Sequence, residues 1–162
     1  MRDIIVIAHN IRSAHNVGSI FRTSEGFGVK KIILSGYTPY PRMPRDTRLP
    51  HIADKLTAQI HKTALDAEQI VPFEHEEEID LARLRSEGYR IVGLEQDTAA
   101  VMLGDYHAPE KIALLLGEEV EGITAELRSQ CDDLIEIPMK GRKESFNVSV
   151  AAGIALYKLS TS

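Results

Sequence analysis

Three stretches of this chain place glycine or short polar residues beside charges where an apolar run ends, the setting in which open α/β sheets build ligand sites. The first, NIRSAHNVGSIFRTSEGFG (10–28), offers Asn16, Gly18, Arg22 and Glu25. The second, LLLGEEVEGI (114–123), brackets Glu118, Glu119 and Glu121 between Gly117 and Gly122. The third, IPMKGRKESFNVSVAAGIA (137–155), runs through Pro138, Gly141 and four charges to Ser145 and Asn147, which stand where a small-residue helix begins. Short polar side chains at such a junction cap the helix or orient a ligand. A glycine after a strand lets a ligand approach the backbone. Three carboxylates beside it would repel a polyphosphate, and no Lys-Ser/Thr pair follows Gly122, so a phosphate loop is excluded there. No GxGxxG follows a strand either, and a neutral or cationic ligand suits the second stretch better. The six histidines show no paired ligand spacing, no nucleophile-elbow serine occurs, and no metal is expected. Taken singly, each stretch also has a plain structural reading. Arg22 and Glu25 make a surface pair worth tenths of a kcal/mol to about 1 kcal/mol, and the acidic loop is a tight turn.

Apolar runs position these stretches. Residues 3–8, 31–35, 90–95, 111–116 and 133–138 read as strands, with a further short strand at 71–73. IALLL (112–116) is apolar at every position, as in a parallel sheet covered by helices on both faces. Helical patterns are expected from Asn16 to Gly26, over 51–70, 76–87 and 124–130, and over 147–160, where Val148, Ala151, Ala152, Ala155 and Leu159 share a stripe. Residues 36–50 hold four prolines with Arg42, Arg45 and Arg48, too proline-rich for regular structure. Alternating strands and helices predict an α/β fold with a mostly parallel sheet and helices on both faces.

A length of 162 residues suits one core, and residues 1–162 are read as a single domain without a separate RNA-binding extension. One cysteine, no signal-peptide pattern and no apolar run of membrane-spanning length point to the cytoplasm and away from membranes. The formal charge of −5 hides a strong asymmetry. Residues 30–62 carry seven basic against two acidic side chains, whereas residues 63–136 carry five against nineteen. Basic stretches that converge in space can form a local anion site despite an acidic total.

Together the three stretches resemble the motifs of the SpoU/TrmH-type RNA 2′-O-ribose methyltransferases of the SPOUT superfamily. The matching segments are NVGSIFRTSEGFGV (16–29), LLLGEEVEGI (114–123) and IPMKGRKESFNVSVAAGIAL (137–156). Order, spacing and strand–loop context agree over essentially the whole chain. Two departures are modest: Ser13-Ala14 replaces an acidic-Pro pair common before the first motif, and Phe146 stands where leucine is usual. The resemblance implies a C-terminal deep trefoil knot, which general rules of chain topology would not suggest. It further implies a homodimer and S-adenosylmethionine bound in the knot by Leu94, Gly117, Ile137, Met139 and Phe146.

The implied reaction is methyl transfer to a ribose 2′-hydroxyl of tRNA or rRNA. The resemblance assigns catalysis to Arg22, with Asn16, Glu119, Ser145 and Asn147 around it. A guanidinium stays protonated in proteins, so Arg22 is easier to see as a phosphate ligand and alkoxide stabiliser than as a base. Arg42, Arg45, Arg48, Lys140, Arg142 and Lys143 would contact phosphates, and Tyr37 and Tyr40 are placed to stack on an unpaired base. A methyltransferase acting on a base, and an RNA-binding module without catalysis, are the alternatives.

Overall fold

The computed structural model describes residues 1–162 and contains seven strands in one sheet. The strands are β1 (Asp3–His9), β2 (Lys31–Ser35), β3 (Phe73–Glu76), β4 (Arg90–Leu94), β5 (Val101–Met102), β6 (Lys111–Leu116) and β7 (Asp133–Glu136). Their order across the sheet is β3-β2-β1-β6-β4-β7-β5, and all neighbours are parallel. Parallel strands end at one edge, so the loops after them converge there. The helices are α1 (Ala14–Gly26), α2 (Pro50–Ala64), α3 (Ala67–Ile70), α4 (Leu81–Ser86), α5 (Ala125–Gln130) and α6 (Val148–Thr161).

Alternation along each strand divides the core in two. Ile4, Val6, Ala8, Ile32, Leu34, Ile112, Leu114 and Leu116 face α1, α2, α3 and α6. Ile5, Ile7, Ile33, Ile91, Ala113 and Leu115 face the other way, onto Leu81 and Leu84 of α4 and Leu127 beside them. Both faces are covered, which is why the strands read as unbroken apolar runs. Burial pushes the Cys131 thiol up to about 11, which leaves it inert as a nucleophile at neutral pH.

Strand β7 is inserted between β4 and β5, both of which precede it in sequence. The segment joining β4 to β6 therefore goes out to the sheet edge and returns around the place that β7 occupies. Gln96 in that segment donates to the Glu144 carbonyl at 2.6 Å, fastening it to the loop after β7. At the foot of β7, Asp133 accepts from Arg90 at 2.5 and 2.9 Å and from the Tyr106 hydroxyl at 2.7 Å.

Several boundaries differ from the sequence expectations. Helix α1 begins at Ala14 with Ser13 as its cap, ahead of Asn16. The helix expected over 51–70 breaks at Leu65 and Asp66, both at positive φ, and resumes as α3. The helix expected over 76–87 is only Leu81–Ser86, because Phe73–Glu76 extends as an edge strand on β2. The expected strand at 71–73 correspondingly starts two residues late. β5, two residues long, and the single 3-10 turn at Leu103–Asp105 were not expected. Residues 36–49 carry neither helix nor strand, as their prolines predict.

Helices α1 and α2 cross in close contact at Gly18. A Cβ there would lie 2.2 Å from the Ile60 carbonyl oxygen and 2.1 Å from Thr63 Oγ1. Thr63 in turn donates to the His15 carbonyl at 2.7 Å. Gly18→Ala must push the two helices apart, and we expect a loss of about 2–3 kcal/mol in urea unfolding. A variant as stable as the wild type would show that the helices do not meet there.

Candidate functional site

The loops after β4, β6 and β7 enclose a cavity of about 240 Å³. Leu94, Gly117, Ile137, Met139 and Phe146 all line it, as do Glu119 and Ser145. Leu116, Val148 and Ala151 add apolar wall. The charged lining is of one sign: Glu95, Glu118, Glu119, Glu121 and Glu144, with no lysine, arginine or histidine.

The β6–α5 loop folds back on itself to form one wall. Gly122 N–H donates to the Glu118 carbonyl at 2.8 Å, and Glu121 N–H to the Glu118 carboxylate at 2.6 Å. Gly117 faces the returning strand so closely that a Cβ would lie 2.4 Å from the Gly122 carbonyl carbon and the Ile123 nitrogen. Gly122 has φ +71°, a conformation that favours glycine, and a Cβ there would collide with Glu95. The Glu95 carboxylate accepts from Ile123 N–H at 2.7 Å, tying the β4 loop to the β6 loop.

Glu119 connects the remaining pieces. Its carboxylate accepts from the Arg12 and Ser13 backbone N–H groups at 3.0–3.1 Å and from the Asn16 amide at 3.2 Å. Asn16 Oδ1 accepts from the Asn147 amide at 3.1 Å. Asn147 Oδ1 caps α6 by accepting from Ser149 N–H at 2.9 Å. One run of hydrogen bonds thus joins all three motif loops. Partial burial works against ionising Glu119, but the N–H donors outweigh it and hold its pKa below the ordinary carboxylate value.

Other expected site residues stand outside this network. Arg22 is exposed on α1, six positions along the helix from Asn16, and makes no side-chain hydrogen bond or ion pair. Ser145 lines the cavity with no hydrogen bond of its own, and the cap of α6 is Asn147. Among the arginines of residues 36–50, Arg48 is committed to the loop. It pairs with Asp46 at 2.6 Å and donates to the Tyr40 and Pro41 carbonyls. These bonds hold Asp46 well below the ordinary carboxylate value. Arg42 pairs with Asp54 at 2.9 Å, whereas Arg45, Lys140, Arg142 and Lys143 are exposed and unpaired. Tyr40 differs from expectation in the same way. Its ring is stacked on His75 at 3.9 Å, with the Arg48 guanidinium 3.6 Å from its centre, so it has no room for a base.

Sequence reasoning missed the part played by Glu95, Gln96 and Glu144. The only signal available was a polar residue directly after an apolar run. It also missed Arg12, whose backbone serves Glu119 and whose Nε lies 3.1 Å from the Glu118 carboxylate. His61, Asp66 and Glu68, unpaired by sequence spacing, come together away from the cavity, where His61 Nδ1 meets Glu68 at 2.6 Å.

With this geometry established, comparison with known proteins is direct. Residues 3–157 match the SpoU rRNA Methylase family, and the chain belongs to that family. It is 30% identical over 158 residues to the 23S rRNA (guanosine-2′-O-)-methyltransferase RlmB of Coxiella burnetii, covering 96% of this chain and 57% of that protein. It is 31% identical over 155 residues to the mouse tRNA (guanosine(18)-2′-O)-methyltransferase TARBP1, covering only 9% of that much longer protein. The chain spans just over half the length of the bacterial relatives. Among solved structures, the TrmH/SpoU tRNA modifying enzyme of A. aeolicus superposes with a TM-score of 0.79 at 25% identity, over 99% of this chain and 75% of that one. An AdoMet-bound rRNA methyltransferase from Sinorhizobium meliloti has the same fold, with a TM-score of 0.79 at 23% identity over 98% of this chain and 56% of that one.

The Glu119 hydrogen bonds carry a pH signature. A carboxylate with a depressed folded pKa stabilises the fold above its unfolded value and loses that contribution as pH falls through the folded value. Glu119→Gln should therefore unfold about 1–2 kcal/mol more easily at pH 7. The gap should close as the pH drops below the ordinary glutamate value of 4.5. Equal stabilities at neutral pH would mean that the network holds nothing together.

Proposed function

We propose that this chain is an S-adenosylmethionine-dependent RNA methyltransferase domain that methylates a ribose 2′-hydroxyl of tRNA or rRNA in the cytoplasm. The observation that carries this is the cavity itself: three motif loops converge on one space whose charged lining is entirely carboxylate. Such a lining disfavours a polyphosphate and suits a ligand bearing a sulfonium and an ammonium group. Gly117, packed against Gly122 and Ile123, sets the loop that walls the cavity, where an adenine can lie against Leu94, Ile137 and Phe146. The names of the relatives, 2′-O-methyltransferases of rRNA and tRNA, point the same way.

When bound, S-adenosylmethionine supplies a methyl group already activated on sulfur, so the protein's task is chiefly to position the acceptor and manage its proton. Glu119, Asn16 and Asn147 fix the three loops relative to one another and so set the shape of the cleft. Ser145, free at the rim, orients the ribose. Arg22 binds the neighbouring phosphate and stabilises charge developing on the 2′-oxygen, while the hydroxyl proton passes to water as the methyl group is transferred.

Arg22 is not among the residues lining the cavity of its own chain, and a homodimer would bring it to the cavity of the other copy. Helix α6 is apolar on its outer side as well as its inner one: Val150, Ile154 and Tyr157 are exposed. A helix apolar all round is expected to be covered. A second copy packed on α6 and the adjacent α1 would bring Arg22 to the other protomer's cleft. Arg45, Lys140, Arg142 and Lys143 then supply the phosphate contacts, while Arg42 and Arg48 shape their own loop. The insertion of β7 between β4 and β5, with Gln96 bonded to the Glu144 carbonyl in the loop after β7, supports the trefoil knot of the same proposal.

Tritium transfer from labelled S-adenosylmethionine into unmodified tRNA and rRNA, followed by nucleoside analysis, tests the activity. Label in 2′-O-methylnucleosides is expected. Label in base-methylated nucleosides would refute the acceptor, and cofactor binding without transfer would make the chain a binding module. Arg22→Ala should lower kcat by about 100-fold or more while cofactor affinity holds. Mixing inactive Arg22→Ala with inactive Gly117→Leu should restore about a quarter of wild-type activity, as random pairing into dimers requires. No restoration would place Arg22 outside a shared site.

A further inference from the structure

A second cleft, of about 590 Å³, opens beside the cofactor cavity at the ends of β1, β2 and β3. The two share a wall. Arg12 lines the second cleft, while its backbone and guanidinium engage Glu119 and Glu118, which line the first. The hydrogen bonds already described leave this cleft with one free aromatic face, on Tyr37, and one largely exposed cation, Arg12, which is paired with Glu118 through Nε. Tyr40 and Arg48 are consumed by their stack with His75 and by Asp46. Tyr37 remains 55% exposed, and the Arg12 side chain 66% exposed.

Both are held rigidly although they face solvent. Gly36, at φ +63°, turns the chain directly out of β2, and a Cβ there would overlap the Asn10 side chain. That same Asn10 oxygen accepts from Tyr37 N–H at 3.1 Å. Thr38, fully buried, donates to the Ala8 carbonyl and accepts from Ile11 N–H, both at 2.9 Å, pinning the turn to the end of β1. Arg12 is fixed at its backbone by Glu119 and lies at Nε 3.1 Å from Glu118, with the rest of its guanidinium beside the Tyr37 hydroxyl and open to solvent. The neighbouring Tyr37 hydroxyl, followed by Glu118, holds the Arg12 pKa above its ordinary value. Gln59 and Glu77 also line the cleft without side-chain partners and offer an amide and a carboxylate to the edge of a base.

An exposed aromatic ring on a rigid turn loses little entropy when something stacks on it. A guanidinium beside it suits a phosphate. We infer that this cleft holds one unstacked nucleotide of the RNA strand next to the nucleotide being modified, its base against the Tyr37 ring and its phosphate on Arg12. The inference rests on the proposal that the chain acts on RNA and extends it. Strand recognition then starts at Tyr37 and Arg12, inside the catalytic domain and against the cofactor cavity, and is not left to the outer basic loops alone.

Fluorescence anisotropy with a labelled 15-nucleotide single-stranded RNA and with an unmodified tRNA transcript tests it, alongside calorimetry with S-adenosylmethionine. Tyr37→Ala should weaken RNA binding about ten-fold, and Tyr37→Phe, which keeps the ring, should stay within about two-fold of wild type. Arg12→Ala should weaken binding and lower the slope of log affinity against log salt by about one. Cofactor affinity should be unchanged in both Tyr37 variants. Wild-type affinity in Tyr37→Ala and Arg12→Ala, equal losses in Tyr37→Ala and Tyr37→Phe, or no RNA binding by the wild type would each overturn the inference. If the variants behave as expected but wild-type protein transfers no methyl group to any RNA, the cleft stands and the methyltransferase proposal falls.

Discussion

A partly buried carboxylate must be met by donors, and Glu119 finds them in parts of the chain more than a hundred residues away. Leaving such a charge without partners would cost several kcal/mol, so the loop after β6 and the loop after β1 come as a pair. Asn16 passes the constraint on, because its amide serves Glu119 while its oxygen accepts from Asn147 at the cap of α6. The sheet brings three loops to one edge. The Glu119 network converts that proximity into a fixed cavity.

Charge is arranged in layers around this cavity. Carboxylates line it, and two of them, Glu118 and Glu95, accept hydrogen bonds from backbone N–H groups beside an apolar wall. Outside it, the cations fall into two kinds. Some, such as Arg48 with Asp46 and Arg90 with Asp133, are spent on holding the fold. Others, including Arg12, Arg45 and the cations of the 140–143 turn, keep free hydrogen-bonding capacity towards solvent. A net charge of −5 therefore says little about partners. What decides is which arginines have already been answered from within the chain.

The sheet was legible in the sequence because its strands are buried on both faces and carry unbroken apolar runs such as Ile112–Leu116. Motif resemblance named Leu94, Gly117, Ile137, Met139 and Phe146 together, and the fold brings all five to the lining of one cavity. Local chemistry alone would have left Gly117 as the glycine of a tight turn. What escaped depends on distant partners. Tyr40 looks like a free ring until His75, on a strand 35 residues later, stacks against it. The break at Leu65 and Asp66 has no glycine or proline to announce it. β5 is too short for any periodicity, and its pairing exists only because β7 is inserted beside it. Arg22 was named by resemblance alone, and its lack of side-chain partners is visible only in three dimensions.

The central claim is that the three motif loops, locked by Glu119, Asn16 and Asn147, form one cofactor site. Titrating S-adenosylmethionine into isotopically labelled protein while recording amide and methyl spectra tests it most directly. Saturable shifts are expected to cluster at Leu94, Gly117–Ile123, Ile137, Met139 and Phe146 and to spread through Asn16 and Asn147. Shifts confined to another surface, or none at cofactor concentrations in the millimolar range, would contradict it.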